Sequence, residues 1–348
     1  MVSRWTGAFQ IAAVYVGTVV GAGFATGREI AEFFTQYGMY GFFGILIAGY
    51  IFIFTGAKIM LLSSRAAVST YEEFNQFLFG KKIAAFVNIL FMLMLIGVTA
   101  VMISGAGAVF EEQLGISKNV GVTVTILFAT MVLMGGMKGL FAVNSFVVPL
   151  MIFFSVILCI LTINEGGFVS AFTVIPEGRK TLDIVMSPFA YSAFNLSLSL
   201  AVLVPVAYDI REEKVLKRGA MLGGFFLTVI LLTGHFSLVM LPDLLDYSIP
   251  SAELMKNAAA NLHWLFVLVI YGEIFTSVIG NIFGLQKQIQ KYIKVPGFLV
   301  MIMICLLSAL IGKFEYGQLL GYLYPLFGYI TLIFLVLVWF RNPIRKKP

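Results

Sequence analysis

The sequence has 348 residues, of which 60% are hydrophobic and 11% are charged, and its formal net charge is +6. A water-soluble domain of this length cannot cover so much apolar surface, so the composition excludes a soluble enzyme or a soluble binding protein. It predicts an integral membrane protein, whose excess positive charge lies beside lipid headgroups and does not indicate a nucleic-acid partner.

Long charge-poor stretches predict ten transmembrane spans. Most of them approach or exceed the roughly 20 residues that a helix needs to cross the hydrocarbon core of a bilayer. The first and the eighth also carry charged residues inside. In chain order, the predicted spans are residues 8–36, 33–57, 83–110, 119–137, 139–164, 184–208, 219–242, 261–287, 295–312 and 316–340.

The basic residues are distributed unevenly between the two sides of these spans. If the N-terminus is inside, most of the 23 lysines and arginines fall on the same side as the N-terminus. Cytoplasmic loops carry this excess of positive charge, so we expect both termini to be cytoplasmic. The basic tail 341–347 then anchors the last span at the anionic surface of the membrane.

The first span contains an unusual run of small residues at positions 17–27, with four glycines and two threonines. Such residues are poor helix formers and predict an interruption. Backbone groups freed at membrane depth are tolerated only inside protein or along a cavity, where carbonyl groups can bind a cation. Alternatively, the glycine pairs allow close helix packing. Arg28, Glu29 and Glu32 favour the interruption, because three charges are costly in a lipid-facing helix.

Two long polar connections suggest that the chain consists of two related halves. Residues 64–82 contain the pattern Thr70-Tyr-Glu-Glu73, a capping box that predicts a short helix on the cytoplasmic side. Residues 242–262 contain a predicted external helix from Ser251 to Asn261. The connections occupy equivalent positions if residues 8–163 and 181–340 are inverted repeats of five spans, a common plan for secondary transporters.

Spans 6 and 8 carry the polar side chains expected near the midplane. In span 6, Asn195 lies among serines and either binds a solute or joins two helices by a hydrogen bond. In span 8, Glu273 costs roughly 2.5–3.5 kcal/mol at this depth unless it faces protein or water. Glu273 with Thr276 and Ser277 suits a small cation or a proton, although both hydroxyls could bond to their own helix and Glu273 could be structural.

Sequence motifs of soluble enzymes are missing. The chain has no CxxC pair, no HExxH pattern and no GxxxxGK[ST] phosphate loop, so we predict that it is not an enzyme and has no organic cofactor.

Residues 17–29 and 191–197 together resemble the bacterial YkvI-like membrane proteins. These belong to the amino acid–polyamine–organocation superfamily, whose transporters share the LeuT fold. The resemblance implies an all-α protein of the bacterial cytoplasmic membrane, with ten transmembrane helices in a single domain. It also implies a five-plus-five inverted repeat, in which helices 1 and 6 are both discontinuous.

The resemblance further implies a sodium site and a solute site. The sodium ligands would be the carbonyls of Gly17 and Val20 and the hydroxyls of Thr276 and Ser277. Span 5 (142–163) lacks the lysine that some proton-coupled relatives place at this position, which favours sodium. The solute would lie between spans 1 and 6, and the implied contacts are Ala22, Gly23, Ala25, Thr26, Ser192, Phe194, Asn195 and Ser197.

The sequence departs from this pattern in two places. Span 6 has no glycine at the expected break, and Glu273 is not a general feature of LeuT-like sodium sites. Glu273 could therefore couple protons or bind the amine of a solute.

Together these patterns predict a cation-coupled secondary transporter, most plausibly for an amino acid or a related amine. The partners are then a small solute, Na⁺ or H⁺ as the coupling ion, and the lipid bilayer, whereas the oligomeric state cannot be read from the sequence. The alternatives are a transporter-fold sensor without turnover, and a proton-coupled transporter that uses Glu273.

Overall fold

A computed structural model describes residues 4–175, 178, 180–247, 249–290, 294–311 and 316–341. Within these ranges all regular secondary structure is helical. The α-helices are α1 (Arg4–Val19), α2 (Ala22–Ala25), α3 (Arg28–Phe33), α4 (Met39–Ala66), α5 (Tyr71–Phe79), α6 (Lys81–Ala108), α7 (Lys118–Met134), α8 (Gly136–Asn164), α9 (Phe168–Phe172), α10 (Thr181–Ile210), α11 (Glu213–Leu238), α12 (Pro250–Ala258), α13 (Ala260–Ile289), α14 (Gly297–Ile311) and α15 (Tyr316–Phe340).

Six of these helices are long and apolar enough to cross a membrane: α4, α6 with its π-helical extension to Gln113, α8, α10, α11 and α13. Three shorter apolar helices lie within the predicted spans 4, 9 and 10. The structure is therefore an all-helical membrane fold, and the count of ten spans remains a prediction.

The first predicted span is interrupted, as its small residues predict. Helix α1 ends at Val19, and neither Val20 nor Gly21 is helical before the single turn of α2. Gly27 then adopts the left-handed conformation, with φ of 83°, and α3 begins at the next residue. Only glycine adopts this conformation without a steric penalty, so Gly27 sets the direction in which α3 leaves the break.

The predicted break in the sixth span was wrong, because α10 is one continuous helix of 30 residues. Pro188 and Pro205 lie inside it, but the residues between them include no glycine that would favour unwinding. The hydroxyl of Ser192 also donates to the carbonyl of Pro188 at 2.7 Å, a local bond that is compatible with the helix. Only the first of the two predicted breaks is therefore present.

Both predicted connecting helices are present. Thr70 caps α5, where its side chain accepts a hydrogen bond from the backbone N–H of Glu73 at 3.3 Å. The Glu73 carboxylate accepts in return from the backbone N–H of Ser69 at 2.7 Å. Helix α12 is shorter than predicted: it ends at Ala258, and α13 begins two residues later.

The long helices pack in two groups. Helices α1, α4, α10 and α11 pack closely against one another, whereas α6, α7, α13 and α14 form a second set of mutual contacts. Helix α13 of the second group also contacts α1 and α2 of the broken span. The break therefore lies where the two groups meet.

Candidate cation and solute site

Four oxygen atoms from the broken helix and from α13 converge at the break. The Thr276 hydroxyl donates to the carbonyl of Gly17 at 3.1 Å. The Ser277 hydroxyl lies 3.3 Å from the same carbonyl and donates a short hydrogen bond to the carbonyl of Val20. Oxygens that bind one hard cation lie roughly 3–4 Å apart, so this spacing suits a small metal ion. The structure thus brings together all four predicted sodium ligands.

The Val20 carbonyl is available because the helix is broken in a specific way. In a continuous helix the Phe24 N–H would donate to this carbonyl. Here the Phe24 N–H instead donates to the carboxyl group of Glu29, which lies beyond the left-handed turn at Gly27. The Glu29 side chain thereby satisfies the donor and leaves the Val20 carbonyl to Ser277.

Asn144 of α8 brings a fifth oxygen close to Gly17. A Cβ atom at Gly17 would lie only 1.8 Å from Asn144 Oδ1, so the two residues touch because Gly17 has no side chain. Asn144 is fully buried, and its Nδ2 donates to the carbonyl of Leu140 at 2.8 Å. Its Oδ1 has no hydrogen-bond partner among the described residues, so this oxygen could accept from a ligand or bind an ion.

Glu273 lies one helical turn before Thr276 and is completely buried. Neither carboxylate oxygen has a partner in ordinary hydrogen-bond geometry within the described part of the chain, and the polar group beside the carboxylate is the Thr276 hydroxyl. A buried carboxylate is costly unless a cation or a proton neutralises it, so this side chain is suited to a cation or a proton.

The predicted solute contacts of the first span lie at the break and beside it. Ala22 belongs to α2, but its side chain lies outside the described residues. The Thr26 hydroxyl donates to the Gly23 carbonyl at 3.2 Å, and the Ala25 side chain is 7% exposed. These residues therefore supply mainly backbone groups and small side chains.

The predicted solute contacts of α10 are buried and largely bonded to their own helix. The Asn195 side chain donates to the Tyr191 carbonyl at 3.0 Å, and Ser197 donates to the Ala193 carbonyl at 2.7 Å. Phe194 packs against Tyr324 of α15, with 4.6 Å between the ring centres. Since α10 is continuous, it offers side chains to a solute but no freed backbone groups.

The loop before α12 and the start of that helix cover the predicted outer side of the break. The backbone N–H of Ser251 donates to the Thr26 carbonyl at 2.9 Å. Arg28 donates to the carbonyls of Leu245 and Tyr247 and forms a salt bridge with Glu32 at 3.0 Å. These contacts tie the loop and the first turn of α12 to the second half of the broken span.

Two cavities of the described residues differ in size and in lining. One next to α2, lined by Phe24 and Ala25 among others, has a volume of about 30 Å³, enough for about two water molecules. The other has a volume of about 330 Å³ and lies between α5 and the ends of α10 and α13. Its walls include Glu73, Asp209 and Lys287, so it is polar. None of its lining residues belongs to the broken span, and a third cavity of about 430 Å³ borders the loop before α12 at Pro242, Leu244 and Leu245.

Two residues at the site were not predicted from the sequence. Asn144 lies beside Ser145 in a largely apolar span, and nothing in the sequence places it beside Gly17. The charge of Glu29 favours the interruption in the sequence analysis, but its hydrogen bond to Phe24 depends on the turn at Gly27.

Sequence comparison identifies two related proteins, one of them a membrane protein. The chain is 45% identical to the membrane protein YkvI of Bacillus subtilis over 348 residues, which cover 98% of this chain and 97% of that protein. It is 22% identical to YyaD of the same organism over 341 residues, which cover 95% and 96% of the two chains. No protein-family model matches the chain.

Solved structures with a similar fold are transporters. The structure is similar to MhsT in complex with L-phenylalanine, with a TM-score of 0.72 and 12% identity over 94% of this chain and 88% of that one. A Na⁺-coupled sialic acid symporter has a TM-score of 0.69 and 14% identity over 96% of this chain and 79% of that one. The manganese transporter of Eremococcus coleocola has a TM-score of 0.63 and 15% identity over 97% of this chain and 79% of that one. At these identities the similarity shows the LeuT fold and not the activity.

Proposed function

The chain belongs to the YkvI family of membrane proteins, which has the LeuT fold, and on that premise we propose that it is a sodium-coupled secondary transporter of a small organic solute. Its mechanism is alternating access, and the solute is an amino acid or a related amine. The fold alone does not identify the solute or the coupling ion, because LeuT-like proteins bind different solutes and ions.

The observation that supports sodium coupling is the meeting of four oxygens at the break. Two are backbone carbonyls, Gly17 and Val20, and two are the hydroxyls of Thr276 and Ser277. In the structure the hydroxyls donate to the carbonyls; around a sodium ion all four oxygens would turn their lone pairs to the metal. A set of uncharged, hard oxygen ligands suits a monovalent cation, and Asn144 Oδ1 is a candidate fifth ligand.

The position of this site explains how an ion would drive a conformational change. The carbonyls belong to the group α1, α4, α10 and α11, and the hydroxyls belong to α13 of the other group. An ion bound between them favours the arrangement in which the two groups are close at this point. Loss of the ion on the cytoplasmic side would release that constraint and permit the solute to leave.

The solute would bind between the break and α10, within reach of the predicted contacts. Backbone groups around Gly23 and Thr26, with Asn195 on the opposite wall, suit a small polar molecule. The small cavity beside α2 holds only about two water molecules. Binding of a solute therefore requires the loop and α12 to move away from Thr26 and Arg28.

Uptake into proteoliposomes tests this function. Purified protein is reconstituted, and accumulation of radiolabelled amino acids and amines is measured with an inward sodium gradient, with equal sodium on both sides, and with potassium in place of sodium. We expect accumulation only with the gradient. Binding of a solute without accumulation under any gradient would instead identify a sensor.

Proton coupling through Glu273 is a second candidate, and the burial of this residue without hydrogen-bond partners in the described chain favours it. Sodium is preferred because the hydroxyls of Thr276 and Ser277 lie at the freed carbonyls, whereas the Glu273 side chain approaches this site only through Thr276. Uptake driven by an imposed proton gradient in sodium-free buffer would reverse this preference.

A further inference from the structure

A second buried carboxyl group lies at the break, and the proposed function does not use it. Glu29 is in the first turn of α3, and its side chain is 1% exposed. One side of this carboxyl group accepts the hydrogen bond from the Phe24 N–H. The other oxygen, Oε2, is buried and has no hydrogen-bond partner among the residues that the structure describes. The group is therefore fixed in position and only half satisfied.

The hydroxyl of Tyr191 lies beside the same carboxyl group. Tyr191 comes from α10 and is fully buried, and its hydroxyl interacts with the Glu29 carboxyl group without reaching the geometry of an ordinary hydrogen bond. The rings of Phe33 and Phe34 lie 5.1 and 5.0 Å from its ring, and that of Phe52 lies 6.0 Å away. These contacts hold the Tyr191 ring, so its hydroxyl cannot easily turn to another partner.

No basic side chain among the described residues neutralises Glu29. The neighbouring Arg28 is bonded to Glu32 and to the two loop carbonyls, and Glu29 takes part in no salt bridge of the described chain. Burial of an ionised carboxylate without a partner costs several kcal/mol, so a protein rarely retains one without a function. A positively charged ligand would supply the missing partner.

Glu29 and Tyr191 are also close in sequence to the predicted solute contacts. Glu29 is three residues after Thr26, beyond the left-handed turn at Gly27, and Tyr191 directly precedes Ser192 on α10. A carboxylate, a hydroxyl and several aromatic rings are the groups that proteins use to bind an ammonium ion.

We propose that Glu29 and Tyr191 bind the ammonium group of the transported solute, with Glu29 Oε2 as the charged acceptor and the Tyr191 oxygen as a second acceptor. This inference rests on the proposed transport function and narrows its substrates to solutes that carry a positively charged nitrogen. Glu273 is also a buried carboxylate without a hydrogen-bond partner at bonding distance among the described residues, but its side chain lies beside Thr276 on α13.

The test uses the purified full-length protein and methylammonium chloride as the probe, with potassium acetate as the anionic comparison at equal ionic strength and constant sodium. Thermal unfolding is followed for the wild type, Glu29→Gln, Tyr191→Phe and Glu273→Gln. We expect methylammonium to raise the melting temperature of the wild type and of Glu273→Gln. For Glu29→Gln we expect about a tenfold or larger loss of apparent affinity, as for a lost charged hydrogen bond, and a smaller loss for Tyr191→Phe.

A second measurement needs no ligand. Glutamine keeps an acceptor for the Phe24 N–H but removes the unpaired charge, so Glu29→Gln without methylammonium should melt at a higher temperature than the wild type. A lower or unchanged melting temperature would assign Glu29 a structural role or a bound proton and overturn the proposal. Equal effects of methylammonium and acetate, or loss of the methylammonium effect in Glu273→Gln alone, would also overturn it.

The same samples separate this inference from the proposed function. If sodium stabilises the protein relative to potassium but methylammonium has no effect, the proposed ammonium site is contradicted and the proposed sodium coupling is not. No sodium effect on the wild type would instead contradict the sodium coupling on which the proposal rests.

Discussion

The Ser277 hydroxyl donates a hydrogen bond to the Val20 carbonyl, although 257 positions separate the two residues in the sequence. This contact joins the broken first span to α13, and therefore one group of packed helices to the other. It depends on Glu29, which accepts from the Phe24 N–H that would otherwise occupy the Val20 carbonyl. The predictions below concern this site and the loop that covers it.

Substitution of Gly17 by alanine should damage the ion site. A Cβ atom here would lie 1.8 Å from Asn144 Oδ1 and 3.2 Å from Val148, so Asn144 must move within a buried, packed region. We expect a destabilisation of about 1–3 kcal/mol, typical of overpacking, and weaker stabilisation by sodium. Gly97→Ala in α6 is the matched control, because a Cβ atom there meets no atom within 4 Å. Equal effects of the two substitutions would argue against the role of Gly17.

Asn144 should modulate the affinity for sodium if its free Oδ1 is a ligand. Asn144→Leu has a similar volume and no oxygen, so we expect a several-fold weaker apparent affinity in sodium titrations of the melting temperature. Asn144→Asp keeps the oxygen and adds charge, so it should bind sodium at least as tightly as the wild type. An unchanged sodium titration for the leucine variant would limit Asn144 to packing against Gly17.

Arg28 should restrain the loop before α12 and keep it closed over the break. Arg28→Gln removes the salt bridge to Glu32 and the hydrogen bonds to the carbonyls of Leu245 and Tyr247. We expect a cysteine introduced at Ser251 to react several times faster with a membrane-impermeant maleimide in this background. Because Cys159 and Cys305 are buried, the parent protein should react little. Equal labelling rates with and without the Arg28→Gln substitution would show that these contacts do not restrain the loop.

Glu273→Gln distinguishes sodium coupling from proton coupling. If sodium is the coupling ion, this variant should retain uptake driven by a sodium gradient, and a proton gradient alone should drive none in either protein. The measurement is uptake into proteoliposomes under each gradient separately. Proton-driven uptake in the wild type that disappears in Glu273→Gln would assign the coupling to this carboxylate.

Local sequence was sufficient to predict the break in the first span. The glycines and threonines of residues 17–27 are poor helix formers, and the structure is non-helical at Val20 and Gly21. The cap of α5 was equally local, since Thr70 and Glu73 are three residues apart and bond to each other.

The features that sequence missed depend on tertiary contacts. The symmetry of the predicted halves suggested a second break, but residues 187–200 lack glycine, and α10 keeps its helical hydrogen bonds. The contact of Asn144 with Gly17 joins α8 to α1, and no spacing within either helix predicts it. The hydrogen bond between Glu29 and Phe24 could not be predicted, because it depends on the left-handed turn at Gly27, which brings the Glu29 side chain back to Phe24.

The most direct test of the account is the thermal unfolding of the wild type and of the double variant Thr276→Val, Ser277→Ala in sodium and in potassium. A site for sodium stabilises the folded protein by about 2.7 kcal/mol at a concentration 100 times its dissociation constant. Thr162→Val is the matched control, since its hydroxyl is buried and bonds only within α8. We predict a higher melting temperature in sodium for the wild type and the control, and equal temperatures in the two salts for the double variant. A sodium effect that survives in the double variant would contradict the assigned site.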